Sequence, residues 1–268
     1  MTSIHPSEQP QLGWLVPCLA VQDLKNSLEF YAKFGLLQYG GDVAEDWAML
    51  RNRAIEIHLF QGHIPRDLLN FRGGEPDEIR AALSERGLTV RTVLGERSFI
   101  FDDPDHREVF FDSGPSEVAA YQSGQPLTGA IPEEDVHVGT GIDLGNLTCC
   151  LACTHLKITK EFYEHLGLVP AGGDPEEGWL ILARRDHLPD PGKRLMTTSL
   201  SLFQDMIPRD TLNFRGGNVA EIAEALAEAG IDARDEVKVA ADGGECLLIM
   251  DPDERPVFFD TTPPERLY

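Results

Sequence analysis

The chain has 268 residues, of which 23 are Lys or Arg and 45 Asp or Glu, for a formal net charge of −22 at pH 7. That length suits two domains of ordinary size, and no apolar run of about 18 residues is present that could form a membrane-spanning helix. So acidic a composition argues against nucleic acid as a partner, because phosphate recognition needs a cationic surface.

The N-terminal stretch MTSIHPSEQPQ is polar and lacks an apolar core, so no secretory signal is expected. "WLVPCLAV" (14–21) reads as a strand. A helix follows with Leu24, Leu28, Tyr31 and Phe34 at three- to four-residue spacing. Strands are expected around 36–39, in "WAML" (47–50) and in "AIEIHLF" (54–60). In that last segment Ile55, Ile57 and Leu59 share one face, and Glu56, His58 and Phe60 the other. "LLNFR" (68–72) is a short strand with Leu69 and Phe71 opposed to Asn70 and Arg72. "EPDEIRAALSERG" (75–87) is a second helix, with Pro76 and acids in its first turn and Gly87 at its end. "TVRTV", "SFIF" and "EVFFD" complete the unit as strands, the last with Val109 and Phe111 opposed to Glu108, Phe110 and Asp112.

The whole unit then recurs. "DLKNSLEFYAKFGL" (23–36) matches "HLKITKEFYEHLGL" (155–168), and "GGD" at 40–42 matches 172–174. Trp47 matches Trp179. After an insertion at 184–194, "LFQ" at 59–61 matches 202–204, and "DPDHREVFFD" (103–112) matches "DPDERPVFFD" (251–260). The most faithful copy is "IPRDLLNFRGG" (64–74), repeated as "IPRDTLNFRGG" (207–217) with one difference, Leu68 against Thr211. Residues 114–143 are rich in Gly, Pro, Ser and acid, which reads as a linker. Domains are therefore expected at 12–114 and 144–262, with a linker at 115–143.

Cys18, Cys149, Cys150, Cys153 and Cys246 are an odd number without an export signal, which fits a reducing cytoplasm. In a strand, Cys149 and Cys153 share a face about 13 Å apart while Cys150 points the other way. They cannot close one zinc site and read as buried thiols.

Through "AVQDLKNSLEFYAKFGL", the "GGD…W" and "LFQG" run and the "DPD…VFFD" terminus, nearly all of both halves resembles the vicinal oxygen chelate (VOC) superfamily. That superfamily includes glyoxalase I, extradiol dioxygenases and the bleomycin and fosfomycin resistance proteins. The resemblance implies an α+β fold of tandem domains, each made of paired βαβββ modules that curve a mixed sheet around a cup. It also implies a metal site built from the first, fourth, fifth and eighth strands. Those positions fall on Val16 and Thr148, on His58 and Ser201, near Leu68 or Asn70 and Thr211 or Asn213, and on Phe110 and Phe258. Only His58 among them is an ordinary ligand. Glu56, His58, Glu108 and Asp112 could form an improvised site in the first cup, whereas Ser201 and Pro256 replace His58 and Glu108 in the second.

The repeated motif admits three readings. It can be a turn, strand and helix entry in which Asp67 and Arg72 tie down a loop. It can be an anion clamp, with Arg72 and Arg215 taking a carboxylate or phosphate and Asn70 and Asn213 orienting it. It can also be an interface between halves or subunits. Trp47 and Trp179 are either core or stacking walls for a flat ligand. His106, His137 and His187 receive no role.

The functional expectation is therefore a cytoplasmic protein that binds a small, anionic organic molecule in cups lacking the usual metal ligands, as resistance members do. Asn70, Arg72, Trp47 and Phe110, with Asn213, Arg215, Trp179 and Phe258, would contact it. The alternative is a metal-dependent lyase, isomerase or dioxygenase-type enzyme centred on His58 with Glu56. No cofactor is expected under the first reading, and a divalent metal under the second. A small molecule is the expected partner, neither nucleic acid nor membrane is, and a homodimer is left open.

Overall fold

The computed structural model describes residues 10–33, 35–52, 55–123, 142–184 and 199–262. Phe34, His137, His187 and most of the 184–194 insertion and the 115–143 linker lie outside them. In the first half the chain runs β1 (Gly13–Val21), α1 (Leu24–Ala32), β2 (Leu37–Asp42), β3 (Trp47–Asn52) and β4 (Ile55–Gln61). It continues through β5 (Leu68–Gly73), α2 (Pro76–Glu85), β6 (Arg91–Thr92), β7 (Ser98–Asp102) and β8 (Glu108–Asp112). These strands form one sheet in the order β2-β3-β4-β1-β5-β8-β7-β6. Each βαβββ module pairs its first and last strands in parallel, β1 with β4 and β5 with β8, and the modules join antiparallel at β1 and β5. The two modules of a cup thus come from the same half of the chain.

The second half repeats the plan with β9 (Gly145–Cys153), α4 (Leu156–His165), β10 (Leu168–Asp174), β11 (Trp179–Arg184) and β12 (Ser199–Gln204). Then come β13 (Thr211–Gly216), α5 (Val219–Glu228), β14 (Lys238–Val239), β15 (Glu245–Met250) and β16 (Pro256–Thr261). Its sheet order, β10-β11-β12-β9-β13-β16-β15-β14, copies the first. The alternation on β4 is borne out: Ile55, Ile57 and Leu59 are buried in the core with α1's Leu24, Phe30 and Tyr31. Cys149 and Cys153 are in that core too, and all five cysteines are free. No helix among the described residues is long and apolar enough to cross a membrane.

Several repeated residues are explained by backbone requirements. The Gln of "LFQ" accepts from a helix N-terminus, Gln61 from the Leu24 amide at 2.7 Å and Gln204 from the Leu156 amide at 3.0 Å; such amides otherwise lack partners. The paired glycines of the repeated motif admit no side chain. Gly73 has φ +94°, and a Cβ there would lie 2.4 Å from the Trp14 ring; one on Gly74 would lie 2.0 Å from the Gln11 carbonyl. Gly74→Ala is expected to cost about 2–3 kcal/mol, the upper range for overpacking, measured as a lowered urea midpoint.

The linker differs from expectation at its start. Residues Pro115–Gln122 form a helix, α3. Pro115 opens it, and the Glu117 carboxylate accepts from the Gly114 amide at 2.7 Å. Tyr121 packs edge-on against Trp14 with ring centroids 5.0 Å apart. Its composition resembles a linker because so short a helix draws its stability from packing on the sheet rather than from propensity.

The halves are held together by two copies of one lock, built from the "DPD" turns and the "IPRD" aspartates. Arg255 donates to Asp67 through Nε at 2.6 Å and Nη2 at 2.9 Å, and from Nη2 to the Ala20 carbonyl at 2.9 Å. Its Nη1 pairs with Asp251, which also accepts from the Tyr31 hydroxyl of the first half at 2.9 Å. In the mirror copy Arg107 donates to Asp210 at 2.7 Å and to the Ala152 carbonyl, while Tyr163 donates to Asp103 at 3.0 Å. The interface reading therefore holds for the aspartates of the duplicated motif.

Candidate functional site

A cavity of about 500 Å³ opens in the first cup. Its walls are mostly apolar, from Trp47 and Met49 on β3, Phe60 on β4, Ile100 on β7 and Phe110 on β8. Trp47 and Phe60 face each other across β3 and β4 with nearly parallel rings, centroids 6.3 Å apart. Exposed Val93 and Leu94 border the cavity. Polar groups are few: His58, His63, Asn70, Arg72 and Asp112, with the Cys18 thiol beside them. Strand parity puts all but His63 there, since the apolar residues of the same strands are committed to the helix-covered face.

Of the residues expected to act in the first half, His58, Asn70, Arg72, Trp47 and Phe110 come together around this cavity. Glu56 stands behind His58. Glu108 does not join them. It accepts from Arg91 at 2.6 Å and from Arg66 at 3.5 Å, and lines a different cavity between the halves. That second cavity, about 490 Å³, is lined by the aspartates and arginines of the lock, whose hydrogen-bonding capacity is largely spent on one another.

Asn70 is 2% exposed, and its carboxamide oxygen has no partner among the described residues. Its amide lies against Cys18, whose thiol is pushed up to about 12 by burial, with the Asn70 hydrogen bond a smaller opposing influence. Cys18 is thus a neutral thiol at pH 7. Burial works against the charge on Arg72, yet Glu117, Asp112 and Glu56 together hold its guanidinium above the usual range. Glu117 of α3 takes its Nε at 2.9 Å and its Nη2 at 2.5 Å. Nη1 has no partner among the described residues. Arg72 is therefore an anchored clamp with one edge left, rather than a bare cation.

His58 donates or accepts at 2.8 Å with Glu56 through Nε2. Glu56 also accepts from Arg51 Nη2 at 2.7 Å and the Tyr39 hydroxyl at 2.5 Å. Burial alone would raise this carboxyl, but the bonds from His58, Arg51 and Tyr39 outweigh it and hold Glu56 down at about 2. The carboxylate is ionised and accepts only, so Nε2 of His58 carries the hydrogen of this bond. Tyr39 and Arg51 escaped the sequence reading. Comparing the halves position by position would have found them, as Ala171 and Ala183 stand opposite.

In the second half Thr148, Asn213 and Phe258 lie in one register across β9, β13 and β16, as Val16, Asn70 and Phe110 do in the first. Asn213 again has a carboxamide oxygen without a partner among the described residues and lies against a buried thiol, Cys150. Arg215 pairs with Asp260 at 3.0 Å. Trp179 faces Phe203 as Trp47 faces Phe60. Ser201 sits where His58 does.

No protein-family model matches the sequence, and no curated protein matches it. Solved structures do match the fold. The chain superposes on homoprotocatechuate 2,3-dioxygenase from Brevibacterium fuscum in complex with 3,4-dihydroxyphenylacetate, with TM-score 0.61 and 16% identity, covering 95% of this chain and 82% of that one. The chain has the tandem vicinal oxygen chelate fold. The Mn(II)-bound glyoxalase from Novosphingobium aromaticivorans shares it at TM-score 0.60 and 16% identity, over 94% of this chain and 83% of that one. So does the homoprotocatechuate dioxygenase of Arthrobacter globiformis, at TM-score 0.61, 17% identity and 95% and 81% coverage. The glyoxalase that shares this fold is Mn(II)-bound, so a divalent ion is a fair test of the first cup.

The residues present do not fit one. At the four positions of the VOC fold, Val16 and Phe110 offer no donor and Asn70 only an amide oxygen. His58, bonded to Glu56 through Nε2, is the one ordinary ligand among the four. Glu56 itself is occupied by three donors, Asp112 accepts from the Ser98 hydroxyl at 2.6 Å, and Glu108 is drawn off by two arginines. Divalent metals need several convergent donors at set distances.

Proposed function

We propose that the first cup binds a small, flat, mainly apolar organic molecule with one anionic or hydrogen-bond-accepting end, without a metal ion. The observation carrying this reading is an apolar cavity of about 500 Å³ whose polar complement includes a fully buried amide oxygen without a partner among the described residues. Leaving such a group unpaired costs about 1–3 kcal/mol, and a donor on a ligand would remove that cost. Trp47, Phe60 and Phe110 offer ring faces and edges to a flat body, and Nη1 of Arg72 offers one charged donor to its acid end. The arylacetate held by the dioxygenase of the same fold has this size and polarity. Binding and sequestration in this manner resembles the resistance members of the superfamily.

Phenylpyruvate serves as a probe, titrated against the intrinsic tryptophan fluorescence in buffer containing EDTA. Saturable quenching is expected, and Arg72→Ala should weaken it roughly 10- to 100-fold, the worth of one charge-assisted contact at about 1.5–3 kcal/mol. Arg215→Ala should leave it unchanged. Quenching that is non-saturable, or lost equally in both variants, would remove the first cup as the site.

A further inference from the structure

The cavity between the halves shares only Leu68 with the wall of the first cup, and the repeated "IPRD" turn reaches it from each half. Most of the repeated motif already has a role. Its aspartates hold the lock, "LNFR" supplies the strand and the cup, and "GG" allows close backbone contact. Arg66 and Arg209 have none of these roles. Both are exposed, and they line the same cavity from opposite halves. Arg66 reaches Glu108 at 3.5 Å, a carboxylate that already takes Arg91 at 2.6 Å. In the second half Pro256 stands in place of Glu108, and the Arg209 guanidinium has no partner among the described residues. An ion pair therefore does not explain why this arginine is written twice.

The other charges of the wall are spent within it. Asp67 and Asp210 accept from the Ala20 and Ala152 amides, each at 2.8 Å, as well as from the lock arginines. Asp105 accepts from the Thr154 amide at 2.7 Å, and Asp253 from the Gln22 amide at 2.9 Å. Arg107 is held by Asp103 and Asp210, and Arg255 by Asp251 and Asp67. What remains is the two exposed guanidinium groups and the exposed ring of His106. The apolar part of the wall repeats with the fold: Leu19 and Leu69 come from β1 and β5, and Leu151 and Leu212 from β9 and β13.

We propose that this cavity is a second binding site, which takes a small dicarboxylic acid with an apolar middle. One carboxylate meets Arg66 of the first half, the other meets Arg209 of the second, and the methylene chain lies against the four leucines. A guanidinium matches a carboxylate in a two-bond fork, and about 490 Å³ is an ordinary size for a small-molecule site. A monocarboxylate would satisfy one arginine only, and inorganic phosphate would leave the leucines uncovered. A ligand gripped by both halves binds their docked arrangement and so stabilises it. The site does not depend on the reading of the first cup.

Calorimetric titration of the full chain with unbranched α,ω-dicarboxylates, from glutarate to sebacate, tests this. At least one length should bind saturably, one per chain, and raise the melting temperature. The monocarboxylate of that length should bind about 10-fold more weakly, the worth of one hydrogen-bonded charge at the low end of its range. Arg66→Gln and Arg209→Gln should each weaken the dicarboxylate by a similar factor. Both side chains are exposed and lie outside the lock, so these variants should melt with wild type when no ligand is present, which separates lost binding from lost folding. Arg72→Ala, in the first cup, should bind as wild type does. The proposal is overturned if no length saturates, if Arg209→Gln binds as tightly as wild type, or if Arg72→Ala removes binding. Displacement of the dicarboxylate by inorganic phosphate at equal concentration overturns it too.

Discussion

Asp251→Ala is expected to destabilise the protein by about 3–5 kcal/mol, the cost of removing one partner from a buried ion pair. Asp251 is 5% exposed and receives Arg255 Nη1, the Tyr31 hydroxyl and the amides of Asp253 and Arg255. Without it the Arg255 guanidinium keeps Asp67 but loses the carboxylate behind it, and Tyr31 points a hydroxyl into an apolar core. For a chain of this length a melting-point drop of roughly 2–4 °C per kcal/mol is expected, so calorimetry should show a fall of about 10 °C. Asp103→Ala should match it, because Arg107 and Tyr163 repeat the arrangement. A loss below about 1 kcal/mol in both variants would mean that the two halves are held by other contacts.

Glu56→Ala is expected to cost a similar amount, about 3–5 kcal/mol, since it strands Arg51 and His58 in a buried site. Acid should act through the same carboxyl. Its folded value is about 2 against an ordinary 4.5. A depressed carboxyl contributes stability that is complete above its unfolded value and lost as pH falls from about 4.5 toward 2. Urea midpoints followed from pH 7 to pH 2 should therefore fall more steeply in wild type than in Glu56→Gln. The combined change Tyr39→Ala, Arg51→Ala, Glu56→Ser and His58→Ser copies the second half. It should recover stability to within about 1 kcal/mol of wild type. If that quadruple variant were as unstable as Glu56→Ala, the cluster would be a requirement of the first sheet after all.

The largest structural features were legible in the residues because they are local and periodic. The duplication, the two βαβββ modules per half and the apolar face of β4 all follow from spacing within single segments. So does the convergence of His58, Asn70, Arg72 and Phe110, since alternation along a strand fixes which side chains share a face, and those strands adjoin in one sheet. The buried, unreactive character of Cys149 and Cys150 follows in the same way.

Tertiary structure decided the rest. The near-identity of "IPRD" in the two halves reflects a partner far away in sequence, Arg255 lying 188 residues beyond Asp67. No periodicity links such positions, because the pairing arises only when two complete sheets dock. The "LNFR" residues of the same motif serve the cup and the "GG" serves close backbone contact, so one stretch answers to three constraints. Helix α3 was hidden because its residues have the composition of a linker and are ordered by Trp14 and Arg72. Glu108 shares strand parity with Phe110 and yet leaves the cup, because Arg66 and Arg91 draw it toward the space between halves. Parity assigns a face of the sheet, and only the docked neighbours decide which cavity that part of the face lines.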